Sequence, residues 1–161
     1  MAKAPNPIDN PELFDSIVLG GVRSPGIVKL EGHDRVVKWD VKEGSGQSGA
    51  STTLKSIPPI EFTATFFLLL DPASGIDEPS EWVDFQAIIE STVASAKPKA
   101  ADIYHPDLAS NGIKSVVKAT IGGKVHDGKG GQSIKVKFQE YKPPQKKGGS
   151  PSGSKSNATN K

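Results

Sequence analysis

The segment Ile60–Leu70, IEFTATFFLLL, decides the fold because it carries two hydrophobic patterns in succession. Phe62, Ala64 and Phe66 alternate with polar threonines, and this period of two residues is typical of a β-strand with one buried face. The run then becomes continuously apolar, which indicates a strand in the middle of a sheet. The sequence therefore predicts a mainly β protein built around this strand.

Further short strands are predicted on both sides of the central one. On the N-terminal side they are SIVLGGV (16–22), GIVKLEG (26–32) and DRVVKWDVK (34–42), separated by the turn-forming tripeptides SPG and GHD. On the C-terminal side we expect a strand over 113–125, with a bulge at Gly122 and Gly123, and a last strand in which Ile134, Val136 and Phe138 share one face.

One helix is predicted over residues 80–97, with Ser80 as its N-cap and Pro98 beyond its end. Its apolar residues recur at helical spacing, and they are Trp82, Phe85, Ile88, Ile89 and Val93. This stripe is expected to pack on the sheet rather than to form a groove for a partner.

Together these elements predict an antiparallel β-sandwich or barrel of two packed sheets with one flanking helix. The domain is expected over residues 14–141, after an extended proline-rich arm (1–13) and before a Gly/Ser/Lys-rich tail (142–161). The predicted core residues are Trp39, Phe62, Phe66, Trp82, Phe85, Ile88, Ile89, Ile134, Val136 and Phe138. For Trp39 the alternative is that its ring faces a sugar or a neighbouring chain.

Two glycine-rich motifs resemble nucleotide-binding loops but lack the structure that such loops need. Residues 44–49, GSGQSG, fit G-x-G-x-x-G, yet Pro58 and Pro59 prevent the helix that would hold a pyrophosphate. Residues 123–129, GKVHDGK, fit G-x-x-x-x-G-K, but Gly130 stands where Ser or Thr would bind magnesium. Both segments are predicted to be hairpin loops instead.

Each of the three histidines has an aspartate close by in the sequence: His33 with Asp34, His105 with Asp107, and His126 with Asp127. Such pairs could serve a metal or an acid–base site, but each lies in a predicted turn and none shows a metal-ligand spacing. No G-x-S-x-G nucleophile motif occurs. The sequence therefore predicts no catalytic, metal-binding or cofactor-binding residue.

Composition and charge limit the classes of protein to which this chain can belong. The 161 residues contain no cysteine, which excludes disulfides and thiolate metal sites. The net charge of +2 is unevenly distributed, because the tail holds five lysines and no acidic residue while the remainder is mildly acidic. The sequence shows neither an apolar run long enough to span a membrane nor a signal-peptide core, so a soluble protein is expected.

The order of these segments resembles the tube and baseplate-hub proteins of phage-type contractile tails. The resemblance rests on SPGIVKLEGHDRVVKWDVKEGSGQSGAS, PPIEFTATFFL, WVDFQAIIESTV, IYHPDLASNGIKSVV and KVKFQEYKPP, which cover most of residues 24–144. It implies a non-enzymatic subunit of a virion tail or injection particle that forms rings, hexameric by resemblance, around a channel. Its partners would be its own copies and other tail or baseplate proteins, with no cofactor, no membrane, and DNA only as passing cargo.

The lysine-rich tail departs from the usual tube protein, so a tube initiator or a baseplate adaptor is an equally good expectation. The residues predicted to contact other subunits are Pro5, Pro7, Pro11, Ser45, Gln47, Ser48, Ser51, Lys146 and Lys147. Two other functions remain open at this point: a carbohydrate-binding β-sandwich module, and a small metal-dependent hydrolase that uses the His/Asp pairs.

Overall fold

The computed structural model of the chain describes residues 3–46 and 48–144. Its strands are β1 (Val18–Leu19), β2 (Val22–Arg23), β3 (Ile27–Glu31), β4 (Lys38–Glu43), β5 (Ala50–Ser56), β6 (Glu61–Asp71), β7 (Ile76–Asp77), β8 (Ala101–Tyr104), β9 (Ser115–His126) and β10 (Gly131–Glu140). Its helices are α1 (Pro11–Phe14), α2 (Glu78–Thr92) and α3 (Pro106–Ser110). The prediction of a mainly β, antiparallel fold with a flanking helix is confirmed.

The strands form one large sheet and one small ribbon. The large sheet has eight strands in the order β2-β1-β8-β9-β10-β6-β3, with β7 paired to the end of β6, and all of its pairings are antiparallel. Strand β6 lies between β10 and β3, as its apolar sequence predicts. The ribbon consists of β4 and β5 alone.

The core lies between the large sheet and helix α2. The ring of Phe66 on β6 has its centroid 4.8 Å from that of Trp82 and 5.8 Å from that of Phe85, both on α2. Edge and tilted contacts of this kind add to the free energy gained from burying the rings. The buried residues of the predicted core are Phe62, Phe66, Trp82, Phe85, Ile89, Ile134, Val136 and Phe138.

Two residues of the predicted core lie elsewhere. Ile88 is only half-buried, because it sits at the edge of the stripe that α2 turns toward the sheet. Trp39 is 56% exposed, so its assignment to the core is wrong. Its alternation with Val37 and Val41 correctly indicated an apolar strand face, but nothing in the described chain covers that face.

Helix α2 begins and ends earlier than the sequence suggested. Its N-cap is Asp77 rather than Ser80, since the Asp77 carboxylate accepts a hydrogen bond from the Ser80 backbone N–H at 3.1 Å. The helix ends at Thr92, whose carbonyl oxygen, left without a partner inside the helix, accepts the backbone N–H of Lys99 at 3.0 Å and the hydroxyl of Ser95 at 3.1 Å. Within residues 3–46 and 48–144, no helix has the length and apolar character needed to cross a membrane.

The segment SIVLGGV is a tight hairpin rather than the single strand predicted from it. Leu19 pairs with Val22, and the two residues between them, Gly20 and Gly21, have φ angles of +58° and +83°. Two consecutive positive φ angles are typical of a type I′ turn, which matches the twist of a hairpin. Glycine adopts these angles without steric cost, so the Gly-Gly pair reverses the chain.

The predicted bulge in β9 is confirmed. Ile134 pairs with Lys124 and Val136 pairs with Ile121, so Gly122 and Gly123 together oppose a single residue of β10. A Cβ atom at Gly122 would lie 2.8 Å from the carbonyl oxygen of Lys135. Glycine is therefore needed where the two backbones approach each other.

Candidate functional site

The ribbon formed by β4 and β5, here called the hairpin arm (38–56), is the most distinctive surface feature. Trp39 pairs with Leu54 and Val41 pairs with Thr52, so one face of the arm is largely apolar. The alternate residues, including Asp40 and Lys42, form a polar opposite face. The arm is thus an amphipathic ribbon.

The apolar face of the arm is open to solvent. Trp39, Val41 and Leu54 are 56%, 55% and 50% exposed, and no described residue of β4 or β5 is buried. A two-stranded ribbon is at best marginally stable in water without a surface to pack against. An amphipathic ribbon with its apolar side uncovered is therefore a candidate interaction surface.

The tip of the arm is a glycine-rich loop between the two strands. Gly46 and Gly49 have φ angles of +77° and +117°, and the chain enters β5 directly after them. The expected strand–loop–strand arrangement is confirmed, and no helix follows that could hold a dinucleotide. Ser45, Ser48 and Ser51 are exposed here, whereas Gln47 lies outside the described residues.

The root of the arm, residues 32–37 and 57–60, is held by a largely buried ion pair. Arg35, just before β4, places its two terminal nitrogens 2.9 Å from the two carboxylate oxygens of Glu140 at the end of β10. The Glu140 side chain is 4% exposed and that of Arg35 is 24% exposed. Paired parallel hydrogen bonds between a guanidinium and a carboxylate are strong and directional, so they fix where the chain leaves the sheet.

Glu140 also holds the second segment of the root, residues 57–60. Its carboxylate accepts the backbone N–H of Ile60 at 3.0 Å, and its own N–H bonds the Ile60 carbonyl oxygen at 2.8 Å. Burial raises the pKa of Glu140, but the hydrogen bonds from Arg35 and Ile60 outweigh it and hold the pKa below its ordinary value. One carboxylate thus ties both ends of the arm to the sheet.

Arg35 in turn organises the neighbouring loop. Its Nη2 donates to the Asn111 carbonyl oxygen at 2.6 Å, and the Asn111 side-chain amide donates to the His33 carbonyl oxygen at 2.7 Å. The root of the arm, residues 32–37 and 57–60, is therefore linked to the loop after α3 as well as to β10.

His105 has a structural role in the described chain. As the N-cap of α3, its Nδ1 accepts the Asp107 backbone N–H at 3.1 Å, so Nε2 carries the proton and donates to the Phe14 carbonyl oxygen at 3.0 Å. Burial lowers the pKa of His105, and nearby His33 lowers it further, against the opposing effects of Phe14 and Asp107. The ring is therefore held neutral as a hydrogen-bonding cap.

The pair His126–Asp127 belongs to a hairpin turn between β9 and β10. The Asp127 carboxylate accepts the backbone N–H groups of Lys129 and Gly131 at 2.6 and 2.9 Å. The second glycine motif is thus a turn, as predicted. Nowhere in the described ranges do three His, Asp or Glu side chains come close enough together to hold a metal ion.

The remaining predicted contact residues lie at the two ends of the chain. Pro5, Pro7 and Pro11 are exposed, and Pro11 opens α1 after a turn in which Asn6 accepts the backbone N–H of Asp9 at 2.9 Å. Lys146 and Lys147 lie outside the described residues.

The buried pair at the root was missed from sequence. One signal existed: Glu140 has the same parity as Ile134, Val136 and Phe138, so the alternation of β10 pointed its side chain inward. Its partner Arg35 could not be identified, because the two residues are far apart in the chain and only the strand order brings them together.

Neither a protein-family model nor a curated protein matches the sequence. Several solved structures are similar in fold. The first is the SPP1 Dit protein, described as a paradigm of the hub adsorption apparatus in phages that infect Gram-positive bacteria, with 15% identity, a TM-score of 0.47, and coverage of 80% of this chain and 50% of that one. The chain thus spans about half the length of that structure.

The other two come from PVC, an extracellular contractile injection system. A chain of its sheath–tube complex has 11% identity and a TM-score of 0.45, and the match covers 79% of this chain and 84% of that one. A chain of its sheath/tube terminator has 13% identity and a TM-score of 0.44, with coverage of 79% and 89%. The first of these structures thus comes from a phage adsorption apparatus, and the other two come from a contractile injection system.

Proposed function

We propose that this protein is a non-enzymatic structural subunit of a phage-type tail or contractile injection particle, and that it assembles through its hairpin arm. The observation that carries the proposal is the apolar face of the arm, with Trp39, Val41 and Leu54 each half exposed. The kind of particle, a phage-type tail or an injection particle, is inferred from the sequence resemblance to tube and baseplate-hub proteins.

The energetics favour a contact that is repeated many times. Burying the exposed half of each of these three side chains is worth about 1 kcal/mol, or about 3 kcal/mol for one arm. That gain changes the dissociation constant of a single contact by roughly 100-fold. Such a contact is weak alone, but it becomes strong in a ring where every subunit contributes one arm.

The described titratable groups support a structural rather than a catalytic role. His105 caps a helix, Asp127 closes a turn, and Glu140 fixes the root of the arm. Each of these three groups is used in bonds that hold the fold.

The finer assignments rest on the resemblance and are part of the same proposal. Copies of the subunit form a ring around a channel, hexameric by resemblance, and this ring occupies a tube, initiator or baseplate-adaptor position in the particle. The arm tip at Ser45–Ser51 and the N-terminal segment contact neighbouring subunits. The lysines of the tail at 142–161 contact an acidic neighbour.

The test is the absolute mass of the purified protein across concentration by light scattering, followed by negative-stain imaging of any large species. We expect rings or tubes with a central hole from the unaltered protein. Trp39→Ser should remain folded by circular dichroism but shift to monomer. Val83→Ser is the matched control, because Val83 is 60% exposed and belongs to α2 rather than to the arm.

A strict monomer at high concentration would contradict self-assembly. A glycan-binding module is the alternative that such a result would favour, since Trp39 is exposed as a sugar-stacking ring would be. Sugar sites also need polar groups placed beside the ring, whereas the same face of the arm carries Val41 and Leu54. A glycan array would decide between the two functions.

A further inference from the structure

A second uncovered apolar surface lies on the outer face of the large sheet. Ile27 pairs with Phe67, Phe67 with Ser133, and Ser133 with Val125, so these residues form one row across β3, β6, β10 and β9. Ile27, Phe67 and Val125 are 57%, 46% and 66% exposed. An apolar row of this kind, interrupted by Ser133 alone, is unusual on a surface that faces only water.

The row borders a cleft of about 480 Å³. Leu69, 42% exposed, continues its apolar lining, and the residue opposite Leu69 is Gly131, which has no side chain to fill the space. Glu78 and Asp127 also line this cleft, whereas no lysine or arginine of the described chain does. The cleft, here called the apolar cleft, is therefore apolar with an acidic rim.

The hairpin arm carries an apolar face and a small excess of basic charge. Its three lysines, Lys38, Lys42 and Lys55, outnumber its two acidic residues, Asp40 and Glu43. Strand alternation places Lys42 on the polar face and Glu43 on the apolar face, so the fit to the cleft comes from the apolar side chains, and the net basic charge of the arm favours its approach to the acidic rim.

The arm and the cleft lie at opposite ends of the same sheet. The arm leaves the sheet where β3 ends beside Thr63 and where β6 begins at Glu61. At about 3.3 Å per residue, Leu69 lies roughly 26 Å further along β6. A subunit with its arm at one end and a receptor for it at the other is built for head-to-tail contact, which generates rings or stacks.

We propose that the apolar cleft of one subunit receives the hairpin arm of a second copy, with Trp39, Val41 and Leu54 packed against Phe67, Leu69 and Val125. This inference rests on the proposed self-assembly and names the receiving surface. The contact is heterologous, so each copy both donates an arm and accepts one.

The absence of cysteine allows a clean cross-linking test in the full chain. Val41→Cys and Val125→Cys are made as single variants and mixed in equal amounts under mild oxidation. We expect a mixed disulfide dimer at several times the yield from Val41→Cys mixed with Val83→Cys. In the double variant V41C/V125C we expect a ladder of covalent oligomers on a non-reducing gel.

Two results would overturn this inference while leaving self-assembly intact. One is that light scattering shows assembly of the unaltered protein, while Val41→Cys forms no more disulfide with Val125→Cys than with Val83→Cys. The other is a dominant disulfide between two Val41→Cys copies, which would mean that arms pair face to face. If the unaltered protein shows no assembly at all, the proposed function itself fails, so the two failures are distinguishable.

A second variant tests the cleft without cysteine chemistry. Phe67→Glu places a charge on a side chain that is 46% exposed, so the fold should tolerate it. We expect the dissociation constant for assembly to rise at least 100-fold with an unchanged circular dichroism spectrum. An assembly constant within twofold of the unaltered protein would exclude the cleft from the contact.

Discussion

Replacing Glu140 with Gln should weaken the protein more than any exposed charge substitution, because this carboxylate serves two partners from a nearly buried position. Gln can still accept the Ile60 N–H, but its amide nitrogen would face the Arg35 guanidinium in place of an oxygen. Hydrogen bonds to charged groups contribute about 1.5–3 kcal/mol, and breaking a buried pair costs up to about 5 kcal/mol. Since Arg35 is 24% exposed and keeps its bond to Asn111, the lower range applies.

We therefore expect the free energy of unfolding to fall by about 2–3 kcal/mol. For a chain of this size, that corresponds to a drop in Tm of roughly 4–12 °C. Chemical denaturation followed by circular dichroism measures the first quantity, and a thermal scan measures the second. The pair Glu61–Lys137 provides the control, since its nitrogen and oxygen are 3.0 Å apart but both side chains are more than half exposed.

Glu61→Gln should change the free energy of unfolding by less than about 1 kcal/mol, because exposed ion pairs contribute little. The pH dependence gives an independent check. The pKa of Glu140 is lowered in the folded state, so its contribution is present above the ordinary pKa of glutamate and is lost as pH falls through the lowered value. Equal losses from E140Q and E61Q, or an unchanged acid limb in E140Q, would refute the reasoning.

Three further predictions concern other sites. Phe66→Ala should lower the free energy of unfolding by about 3–5 kcal/mol through the cavity it leaves, whereas Trp39→Ala should lower it by less than about 1 kcal/mol, both measured by denaturation. The pKa of His105 is lowered in the folded state, so the stabilisation that its neutral ring contributes should be complete above the ordinary histidine pKa of 6.5 and should be lost as the pH falls below that value. His105→Gln should make the free energy of unfolding less dependent on pH in denaturation curves taken from pH 8 to 5. Gly26→Ala should be strongly destabilising in a thermal scan, because Gly26 has a φ of +69° and its Cβ would collide with the Phe67 carbonyl oxygen, whereas Gly123→Ala, with open space around it, should cost less.

The central parts of the fold could be predicted because they carry their own periodicity. Strand β6 alternates and then becomes wholly apolar, and the stripe of α2 repeats at helical spacing. These patterns indicate which face of a strand or helix is apolar, and in the core that face packs against another element of the same chain. The boundaries of α2 were less certain because Asp77 and Ser80 are both good caps, and only the surrounding chain selects one.

The arm shows where sequence patterns stop being informative. Trp39 alternates with its neighbours as a core residue would, because a strand that packs on another subunit needs the same alternation as one that packs on its own core. The pattern identifies an apolar face and leaves open which molecule covers it. Likewise, the parity of Glu140 points inward, but its partner is set by a strand order that local sequence does not encode.

The placement of the arm also has a consequence for folding. Strands β3 and β6 are neighbours in the sheet, yet the chain between Glu31 and Glu61 contains the whole arm. Because β4 pairs locally with β5, closing the hairpin draws the two ends of this connection together, and the entropic cost of joining β3 to β6 then depends on the short root segments rather than on the length of the arm. Adding residue pairs to the ribbon should leave the folding rate of the sheet nearly unchanged, so the reach of the subunit can lengthen without any change in its core.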